Sequence, residues 1–481
     1  MTQVQGAVEV SLELISPEQL RPVVTAAGWA RLSAALQAGH ASLQDRTVWM
    51  VNSTAVGGGV AELLRALLPY WLGAELDVRW AVIQARPAFF RLTKRVHNLL
   101  HGHPGDGGEL GERERRIYEA SLASNNVSLK RRVRAGDIVV LHDPQTVGLA
   151  PALKASGARV VWRSHVGADR PNALVRAAWD FLRPYAVEAD AIVFTRRYSV
   201  PPWLCAARVA VIPPSIDPCA TKNVTMEDAA VRAILTCAGL AGERPGHVGR
   251  PAFRRRDGSE GRVGRRCFVR RAGRPARLSV DPLVVHLTRW DRLKDPVGVM
   301  ESFTSGVLDR IDARLILAGP SVHAVADDPE AAAVYREVER RWQLLPSAER
   351  ERIDLARLPM RDLDENAAIV NALQRQATVI VKKSLEEGFG LGVTEAMWKR
   401  RPVVASRVGG HQDQIQDGIN GVLVDDPRDL AAFGRAVADL LLDPDRAKRL
   451  GDAAQQRVRE RFLPDRYMSQ WAELLATLPA R

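Results

Sequence analysis

The chain has 481 residues, of which 46% are hydrophobic and 26% are charged. This composition is typical of soluble globular proteins, and the length predicts two to three domains. No run approaches the ~20 apolar residues that a membrane-spanning helix needs. Residues 1–10 also lack the basic and apolar regions of a secretory signal. We therefore expect a cytoplasmic protein that binds no membrane.

The positive charge of the chain is concentrated in one segment. The formal net charge is +12, and residues 243–277 carry twelve arginines against three acidic residues. The remaining chain is close to neutral, so the charge does not indicate a nucleic-acid-binding domain. The segment is rich in glycine and lacks a strong hydrophobic period, which favours a solvated excursion. A contact with phosphate, a polyanion or another subunit remains as the alternative.

Apolar runs alternate with longer amphipathic runs along most of the chain, a pattern typical of βαβ units and parallel sheets. In the first half the predicted strands are 47–51, 78–83, 137–141, 160–162 and 191–195, and the predicted helices are 59–70, 88–101, 112–133, 146–156 and 172–186. In the second half the predicted strands are 283–287, 314–318, 378–381, 402–405 and 421–424. The predicted helices there are 296–304, 329–344, 364–376, 391–399, 428–442, 446–461 and 465–478. Paired prolines at 213–214 suit a domain exit between the halves.

One stretch of the second half, residues 384–398, predicts an anion site. It follows a buried strand, passes through a loop with three glycines and enters a helix. The free N–H groups and the dipole of a helix N-terminus favour negative charge. Glu387 and Glu395 flank the loop in an E-x7-E spacing, and their carboxylates suit the hydroxyls of a sugar and of a ribose. This segment resembles the signature of retaining glycosyltransferases with two facing Rossmann-like domains, the GT-B architecture.

A second loop of the same half, Thr288–Asp295, carries Arg289 and Lys294 after a predicted strand. An arginine fork and a lysine point charge together suit the growing negative charge of a departing diphosphate. The loop lies at the carboxyl end of a parallel strand, where such sheets bind ligands. The alternative is an exposed loop whose charges are ion-paired.

Three successive glycines, 57–59, follow the strand 47–51 and open a helix. They permit close approach of backbone to a ligand, although they match neither the dinucleotide fingerprint nor a P-loop. We expect this turn to form a lip of the cleft that touches donor phosphate or acceptor sugar. A plain strand-to-helix turn is the alternative.

Two histidines, His142 and His165, follow adjacent predicted strands and should face one crevice. Both can donate to sugar hydroxyls, and His165 alternatively to a phosphate. Asp362 and Asp364 spell D-x-D, but their place before a helix favours an N-cap with first-turn acids over a metal site. The four cysteines, at 205, 219, 237 and 267, fit no zinc spacing, so free thiols are expected.

Several sequence motifs resemble, more narrowly, those of the trehalose glycosyltransferring synthases of the GT-B class. The resemblance spans about residues 45–475 and is weakest over 220–280. The motifs are NST-x-x-GGGVAEL, LHDPQ, WRSHVGAD, RWD-x-x-KDP, LPMRDLDENA, K-S-x-x-EGFGL, EAMWK-x-RPVVAS and QDQI.

The resemblance implies an α/β fold of two facing, Rossmann-like, doubly wound parallel-sheet domains with a cleft between them. Residues 1–215 would form the acceptor domain, with a C-terminal helix at 465–481 crossing back onto it. Residues 216–464 would form the nucleotide-sugar donor domain, which carries the arginine-rich excursion 243–277.

The same resemblance implies a retaining transfer of glucose from a nucleoside diphosphate glucose to glucose, giving trehalose, with same-face attack. We expect no metal or other cofactor, because Arg289, Lys294 and the helix N-terminus after Gly392 supply the positive field that a metal would otherwise supply. The implied catalytic residues are Arg289, Lys294, Glu387, His165 and Asp143. The implied donor-binding residues are Gly58, Gly59, Arg289, Lys294, Leu358, Glu387, Phe389, Gly390, Leu391 and Glu395. The implied acceptor-binding residues are His142, Asp143, Gln145 and His165.

Alternatives remain open from the sequence. Another GT-B glycosyltransferase with a lipid or polysaccharide acceptor is the nearest. An epimerase or phosphorylase of this architecture is not favoured, because neither explains E-x7-E together with the Arg289–Lys294 pair. A polyanion-binding protein would rest only on residues 243–277. The donor base, the physiological direction and the oligomeric state, a homodimer included, are left open.

Overall fold

The computed structural model describes residues 6–56, 58–242, 249–322 and 330–479. Within them the chain forms two seven-stranded sheets, each flanked by helices, and a separate two-stranded hairpin. This confirms the predicted α/β class with two doubly wound parallel sheets. Among the described helices, none is long and apolar enough to cross a bilayer.

The first sheet is built from residues 8–211 and has the strand order β1-β3-β2-β4-β5-β6-β7. Only its edge strand β1 runs antiparallel, to β3, and the other pairs are parallel. Its strands are β1 (Val8–Val10), β2 (Val48–Asn52), β3 (Val78–Val82), β4 (Ile138–His142), β5 (Arg159–Ser164), β6 (Ala191–Phe194) and β7 (Val209–Val211).

The hairpin and the second sheet follow in the chain. The strands of the hairpin are β8 (Ala252–Arg254) and β9 (Glu260–Arg262), and those of the sheet are β10 (Phe268–Arg270), β11 (Leu283–Leu287), β12 (Arg314–Pro320), β13 (Ile353–Leu358), β14 (Val379–Lys382), β15 (Val403–Ser406) and β16 (Val422–Val424). The sheet order is β10-β13-β12-β11-β14-β15-β16. Again one edge strand, β10, is antiparallel, and the remaining pairs are parallel.

Helices cover both faces of each sheet. Those of the first half are α1 (Ala26–Ser42), α2 (Gly59–Gly73), α3 (Pro87–Leu100), α4 (Glu112–Lys130), α5 (Ala150–Ala155) and α6 (Ala173–Ala186). The later ones are α7 (Asp228–Cys237), α8 (Pro296–Gly306), α9 (Ala331–Leu344), α10 (Ser347–Arg350), α11 (Leu363–Gln376), α12 (Leu391–Trp398), α13 (His411–Gln414), α14 (Leu430–Leu442), α15 (Pro444–Arg461) and α16 (Pro464–Ala476).

The central strands are mostly apolar because helices bury both faces of each sheet. In β4, Val139 and Leu141 point into the core on one face of the first sheet. Ile138 and Val140 alternate with them and point into the core on the other face. The alternation of successive side chains thus supplies two cores per sheet.

Helix α16 belongs to the core of the first half, although it ends the chain. Trp471 and Met468 are buried with the strands of the first sheet, and α16 packs along α1. The chain passes between the halves twice, near residues 213–216 and 462–466, and these two segments are hydrogen-bonded to each other. The amide of Ile216 donates to the carbonyl of Phe462 over 3.0 Å, and Arg466 donates to the carbonyl of Pro213 over 2.8 Å.

The arginine-rich segment corrects the expectation of a solvated excursion. Residues 243–248 lie outside the described part of the chain, but 249–277 supply the hairpin and the edge strand β10. Its arginines pair with acidic side chains of the protein: Arg255 with Asp362 and Asp364, Arg265 with Glu365, Arg271 with Asp354, Arg256 with Asp217 and Arg274 with Asp281. These guanidinium groups are therefore engaged internally, and the segment presents less free positive charge than its composition suggests.

Candidate functional site

The strand orders place one reversal point in each sheet. In the first sheet the chain winds in opposite directions from β2 and β4, and in the second from β11 and β14. Ligands of open α/β sheets bind beyond the carboxyl ends of the strands at such points. The loops that follow these strands line a single cavity of ≈ 360 Å³ between the halves.

Every described residue that the sequence singled out for a role in binding or catalysis lines this cavity. From the first half come Gly58, Gly59, His142, Asp143, Gln145 and His165, and from the second come Arg289, Lys294, Leu358, Glu387, Phe389, Gly390, Leu391 and Glu395. Gly57, the first of the three glycines, lies outside the described residues. The roles of these residues stay predictions, while their convergence is a fact of the fold.

Glycine is required in the loop before α12. Gly390 has a φ of 84°, and a Cβ there would lie 3.0 Å from the ring of His411. Gly409 in the neighbouring loop has a φ of 49°, and a Cβ there would overlap the carbonyl of Glu387. The two loops therefore pack backbone to backbone. This contact leaves the N-terminus of α12 facing the cavity.

Glu387 is the centre of a charged cluster. Its carboxylate accepts from Lys294 Nζ over 2.6 Å and from Ser384 Oγ over 3.2 Å, and His411 Nε2 lies 3.6 Å away. Burial alone would raise the pKa of Glu387, but Lys294 and His411 hold it well below its ordinary value. The carboxylate is therefore ionised and can accept hydrogen bonds from sugar hydroxyls.

Arg289 lies beside a buried carboxylate. Its guanidinium is 3.8 Å from Asp291, which also accepts from Lys94 Nζ of α3 over 3.0 Å. Burial opposes ionisation of Asp291, but Lys94 and Arg289 lower its pKa. Lys94 and Asp291 come from different halves, so this ion pair joins the two walls of the cleft.

Glu395 lies in α12, five residues after its N-cap Gly390. Its two carboxylate oxygens contact Lys222 Nζ at 2.9 Å and Gln374 Nε2 at 3.1 Å. Burial would raise the pKa of Glu395, and Lys222 and Lys399 lower it below its ordinary value.

The acceptor side holds a histidine pair. His142 Nδ1 and His165 Nε2 are 3.1 Å apart and the rings are stacked. Asp143, which has a φ of 62°, accepts from the amide of His165 over 2.7 Å. Burial lowers the pKa of His142 to about 3 and that of His165 well below its ordinary value. Both rings are therefore neutral at pH 7, and one donates to the other.

Two helix N-termini meet across the cleft. A Cβ on Gly59, the first residue of α2, would lie 3.5 Å from the side chain of Leu391, the first residue of α12. Gly58 before it has a φ of 108°. The positive ends of α2 and α12 thus face the same volume.

The remaining predicted residues contribute in different ways. Phe389 buries its ring against Phe462, so its backbone is the part that faces the cavity. Leu358 ends β13 and is buried. The side-chain carbonyl oxygen of Gln145 is buried and accepts no hydrogen bond from the part of the chain that the structure describes.

Several cavity residues were missed from the sequence. His97 and His101 of the α3 region stack edge to face, and burial lowers the pKa of His101 to about 4. Their i, i+4 spacing, H-x3-H, was the signal that could have found them. Lys382 ends β14 beneath Gly392, and burial lowers its pKa to about 8. Burial and Asp169 raise the pKa of Glu386 to about 7.

The D-x-D motif caps a helix. Asp362 accepts from the amides of Asp364 and Glu365 at the start of α11, and Arg255 contacts both aspartates. Across the described ranges, no group of three or more His, Cys, Asp or Glu side chains is placed to hold a metal.

Comparison with known proteins identifies both halves of the chain. Residues 50–201 match the family described as trehalose synthase, N-terminal domain, and residues 361–457 match glycosyl transferases group 1. The trehalose synthase of Rubrobacter xylanophilus is 33% identical over 444 residues, 91% of each chain. That of Pyrococcus horikoshii is 31% identical over 440 residues, again 91% of each.

A trehalose phosphorylase of Pleurotus sajor-caju is also similar, at 26% identity over 85% of this chain and 54% of its own. Because phosphorylases are among the relatives, the motif spacing counts less against a phosphorylase than the sequence alone indicates.

Solved structures share the fold. An α,α-trehalose-phosphate synthase from Burkholderia vietnamiensis superposes with a TM-score of 0.63 at 16% identity, over 89% of this chain and 97% of that one. HepE of Anabaena, solved with UDP and glucose, gives a TM-score of 0.56 at 14% identity, over 90% and 100%. The two sheets, the cleft between them and the sequence relatives agree: the chain belongs to the trehalose synthase family, GT-B hexosyltransferases of trehalose metabolism.

Proposed function

We propose that the protein transfers glucose from a nucleoside diphosphate glucose to free glucose, with retention of configuration, and so forms α,α-trehalose. One observation carries the proposal. The cationic loop of Arg289 and Lys294 meets Glu387 at the N-terminus of α12, opposite the His142–His165 pair of the other half.

The donor side suits a diphosphate that gains charge as it leaves. Arg289 offers a planar fork and Lys294 a point charge, and the N-terminus of α12 adds a positive dipole end. These groups are fixed before the reaction, so they stabilise the developing charge without reorganisation. Lys382, buried at the end of β14, adds a third cation close to the glycine loop.

The chemistry we propose is a same-face displacement. The bond between C1 of the donor glucose and the phosphate oxygen breaks, and the electron pair leaves with the nucleoside diphosphate. The anomeric hydroxyl oxygen of the acceptor glucose bonds to C1 from the same face. Its proton passes to the departing phosphate oxygen, so atoms and charge balance and the α configuration is kept.

The acceptor side would orient rather than ionise its sugar. His142 and His165 are neutral at pH 7, so a ring N–H can donate to a hydroxyl and a bare ring nitrogen can accept from one. Asp143 holds the loop of His165 through the 2.7 Å contact to its amide. Most of the rate would then come from positioning and charge stabilisation.

We propose that no metal or other cofactor takes part. The positive groups that a metal would supply are present as Arg289, Lys294 and the α12 N-terminus. Asp362 and Asp364 are engaged with Arg255 and with backbone amides.

Phosphorolysis is the second candidate, favoured by the similarity to trehalose phosphorylase. In that reaction the glucosyl group of trehalose passes to inorganic phosphate instead of a nucleoside diphosphate. The same cations would hold the phosphate.

One assay separates the two. The protein is mixed with glucose and UDP-, ADP- or GDP-glucose, with and without EDTA, and the products are followed by proton NMR. We expect α,α-trehalose and free nucleoside diphosphate in equal amounts, and the same rate with EDTA. A parallel reaction of trehalose with phosphate should give no glucose 1-phosphate. Glucose 1-phosphate without any nucleotide-dependent trehalose would establish the phosphorylase instead, and rescue of an EDTA-inhibited enzyme by magnesium or manganese would show a metal requirement.

A further inference from the structure

A single lysine, Lys222, joins the two helices whose N-termini face the cleft. Its Nζ lies 2.8 Å from the carboxylate of Glu62 in the first turn of α2 and 2.9 Å from that of Glu395 in α12. Lys222 itself belongs to neither helix. It lies a few residues after the chain crossing at 213–216, and its side chain is 23% exposed.

The lysine makes Glu395 an ionised, oriented acceptor. Lys222 engages one carboxylate oxygen and Gln374 the other, each from a fixed side. A carboxylate has about four lone-pair sites, so these contacts leave acceptor capacity for two hydroxyls. Without Lys222, the carboxylate of Glu395, only 4% exposed, would lose the larger of the two positive charges that oppose its desolvation, the other being that of Lys399, and the equilibrium would shift toward the neutral acid.

The charge state of the lysine agrees with this arrangement. Burial would lower the pKa of Lys222, but Glu395 and Glu62 together raise it above its ordinary value. Lys222 thus stays cationic, and its charge is neutralised by two carboxylates from opposite halves. It offers little net charge to a phosphate and serves as a bridge rather than as a phosphate ligand.

We propose that Lys222 is the positioning residue for Glu395 and thereby determines recognition of the ribose hydroxyls of the donor nucleotide. This inference rests on the proposed function, because it requires a nucleotide whose ribose reaches Glu395. The contact with Glu62 ties the same lysine to α2, so ribose recognition is linked to the approach of the first half.

The test compares nucleotides with and without ribose hydroxyls. Binding of UDP, ADP and GDP and of their 2′,3′-dideoxy analogues is measured by titration calorimetry for wild type and for Lys222→Met. We expect Lys222→Met to weaken binding of the preferred ribonucleotide roughly 10- to 100-fold, the scale of hydrogen bonds to a charged group. Binding of the matching dideoxy analogue should change by less than about twofold.

Three further variants make the result specific. Lys222→Arg should restore most of the ribonucleotide affinity, because a guanidinium can contact both carboxylates. Glu62→Gln should lose less than Lys222→Met, because Glu395 keeps its ion pair. Lys154→Met is the matched control, since Lys154 contacts Glu188 and Asp190 on the first half, outside the cavity.

Each outcome decides the matter. Equal losses for ribo- and dideoxynucleotides would show that Lys222 contacts the base or phosphate or only supports the fold, and would overturn the proposal. Unchanged ribonucleotide affinity in Lys222→Met would overturn it as well, as would losses in Glu62→Gln equal to those in Lys222→Met. If wild type itself binds no nucleoside diphosphate, the proposed function fails together with the inference, and this is visible before any variant is compared.

Discussion

Gly388 lies directly against the backbone of His165, so the donor loop of one half touches the acceptor loop of the other. A Cβ at position 388 would lie 2.5 Å from the carbonyl oxygen of His165. That atom belongs to the backbone, so it cannot rotate away, and one of the two loops would have to shift.

We expect Gly388→Ala to lower the transfer rate roughly 10- to 100-fold, because displacements of about 1 Å between reacting groups can cost that much. The thermal midpoint should change little, since the contact lies between the halves. Steady-state kinetics and calorimetry measure the two quantities. Gly264→Ala is the control, because a Cβ there meets no atom within 4 Å. A fully active Gly388→Ala enzyme would mean that the two loops separate during catalysis.

Lys294→Ala should lower the rate of transfer roughly 10²-fold or more, the scale for losing one preorganised donor. Arg292→Ala is the matched control, because Arg292 sits in the same turn but pairs with Glu337 at the surface. Circular dichroism should show both variants folded. Wild-type turnover in Lys294→Ala would remove this lysine from the charge-stabilising set.

Substitutions at Glu387 and at Glu395 should affect different steps, because the two carboxylates are assigned to different parts of the donor. Glu395→Gln should weaken binding of the free nucleoside diphosphate, because Glu395 is assigned to the ribose. Glu387→Gln should slow sugar transfer while leaving the free diphosphate bound. Titration calorimetry and initial rates distinguish the two effects. Equal losses of diphosphate affinity in both variants would contradict the division.

The buried histidines make stability depend on pH. The pKa of His142 is lowered to about 3 by burial, with a contribution from Arg163, whereas the unfolded chain has its ordinary value near 6.5. Between these values the unfolded state binds more protons than the folded state. The contribution of His142 to the free energy of unfolding is therefore fully present above about pH 6.5 and is lost as the pH falls toward 3.

His142→Gln should therefore reduce the loss of stability between pH 7 and pH 5 by about 1–2 kcal/mol. Urea unfolding of both proteins at the two pH values measures this. His40→Gln, on the exposed face of α1, serves as the control for replacing a histidine at the surface. An unaltered pH dependence in His142→Gln would show that this ring is protonated as easily in the folded state as in the unfolded chain.

The sheets could be predicted because their central strands are buried on both faces and read as continuous apolar runs. For Leu283–Leu287 the predicted and observed bounds coincide. Strand β13 was missed because Asp354 and Arg357 interrupt its apolar run. Asp354 is buried there in ion pairs with Arg271 and Arg314. Helix α1 was missed because it is rich in alanine and has few large apolar residues to mark a period.

The site was predictable where it follows strand ends, because parallel strands bring their carboxyl ends to one edge. That geometry brings together the loops of Arg289, Glu387 and His165 without further information. Lys222 and His101 could not be found in this way. They reach the cavity through the packing of the crossing segment and of α3, which strand periodicity does not report.

Closure of the cleft is the last prediction. Arg196 of the first half contacts both Asp169 of its own half and Asp413 of the second, and the amide of Gly409 donates to Asp169 over 2.9 Å. These contacts describe a closed arrangement. The crossings that would hinge it are hydrogen-bonded to each other through Ile216 and Phe462.

We expect nucleoside diphosphate and glucose together to favour this closed arrangement, because closure brings the donor and acceptor residues within reacting distance and excludes water. Small-angle scattering should show compaction when both ligands are added to wild type. Arg196→Ala removes the bridge and should reduce the compaction, whereas Arg208→Ala should not, because Arg208 donates to the carbonyl of Val187 within its own half. An interdomain distance that stays the same under saturating ligands would mean that the cleft is preformed and that substrates enter it without a hinge motion.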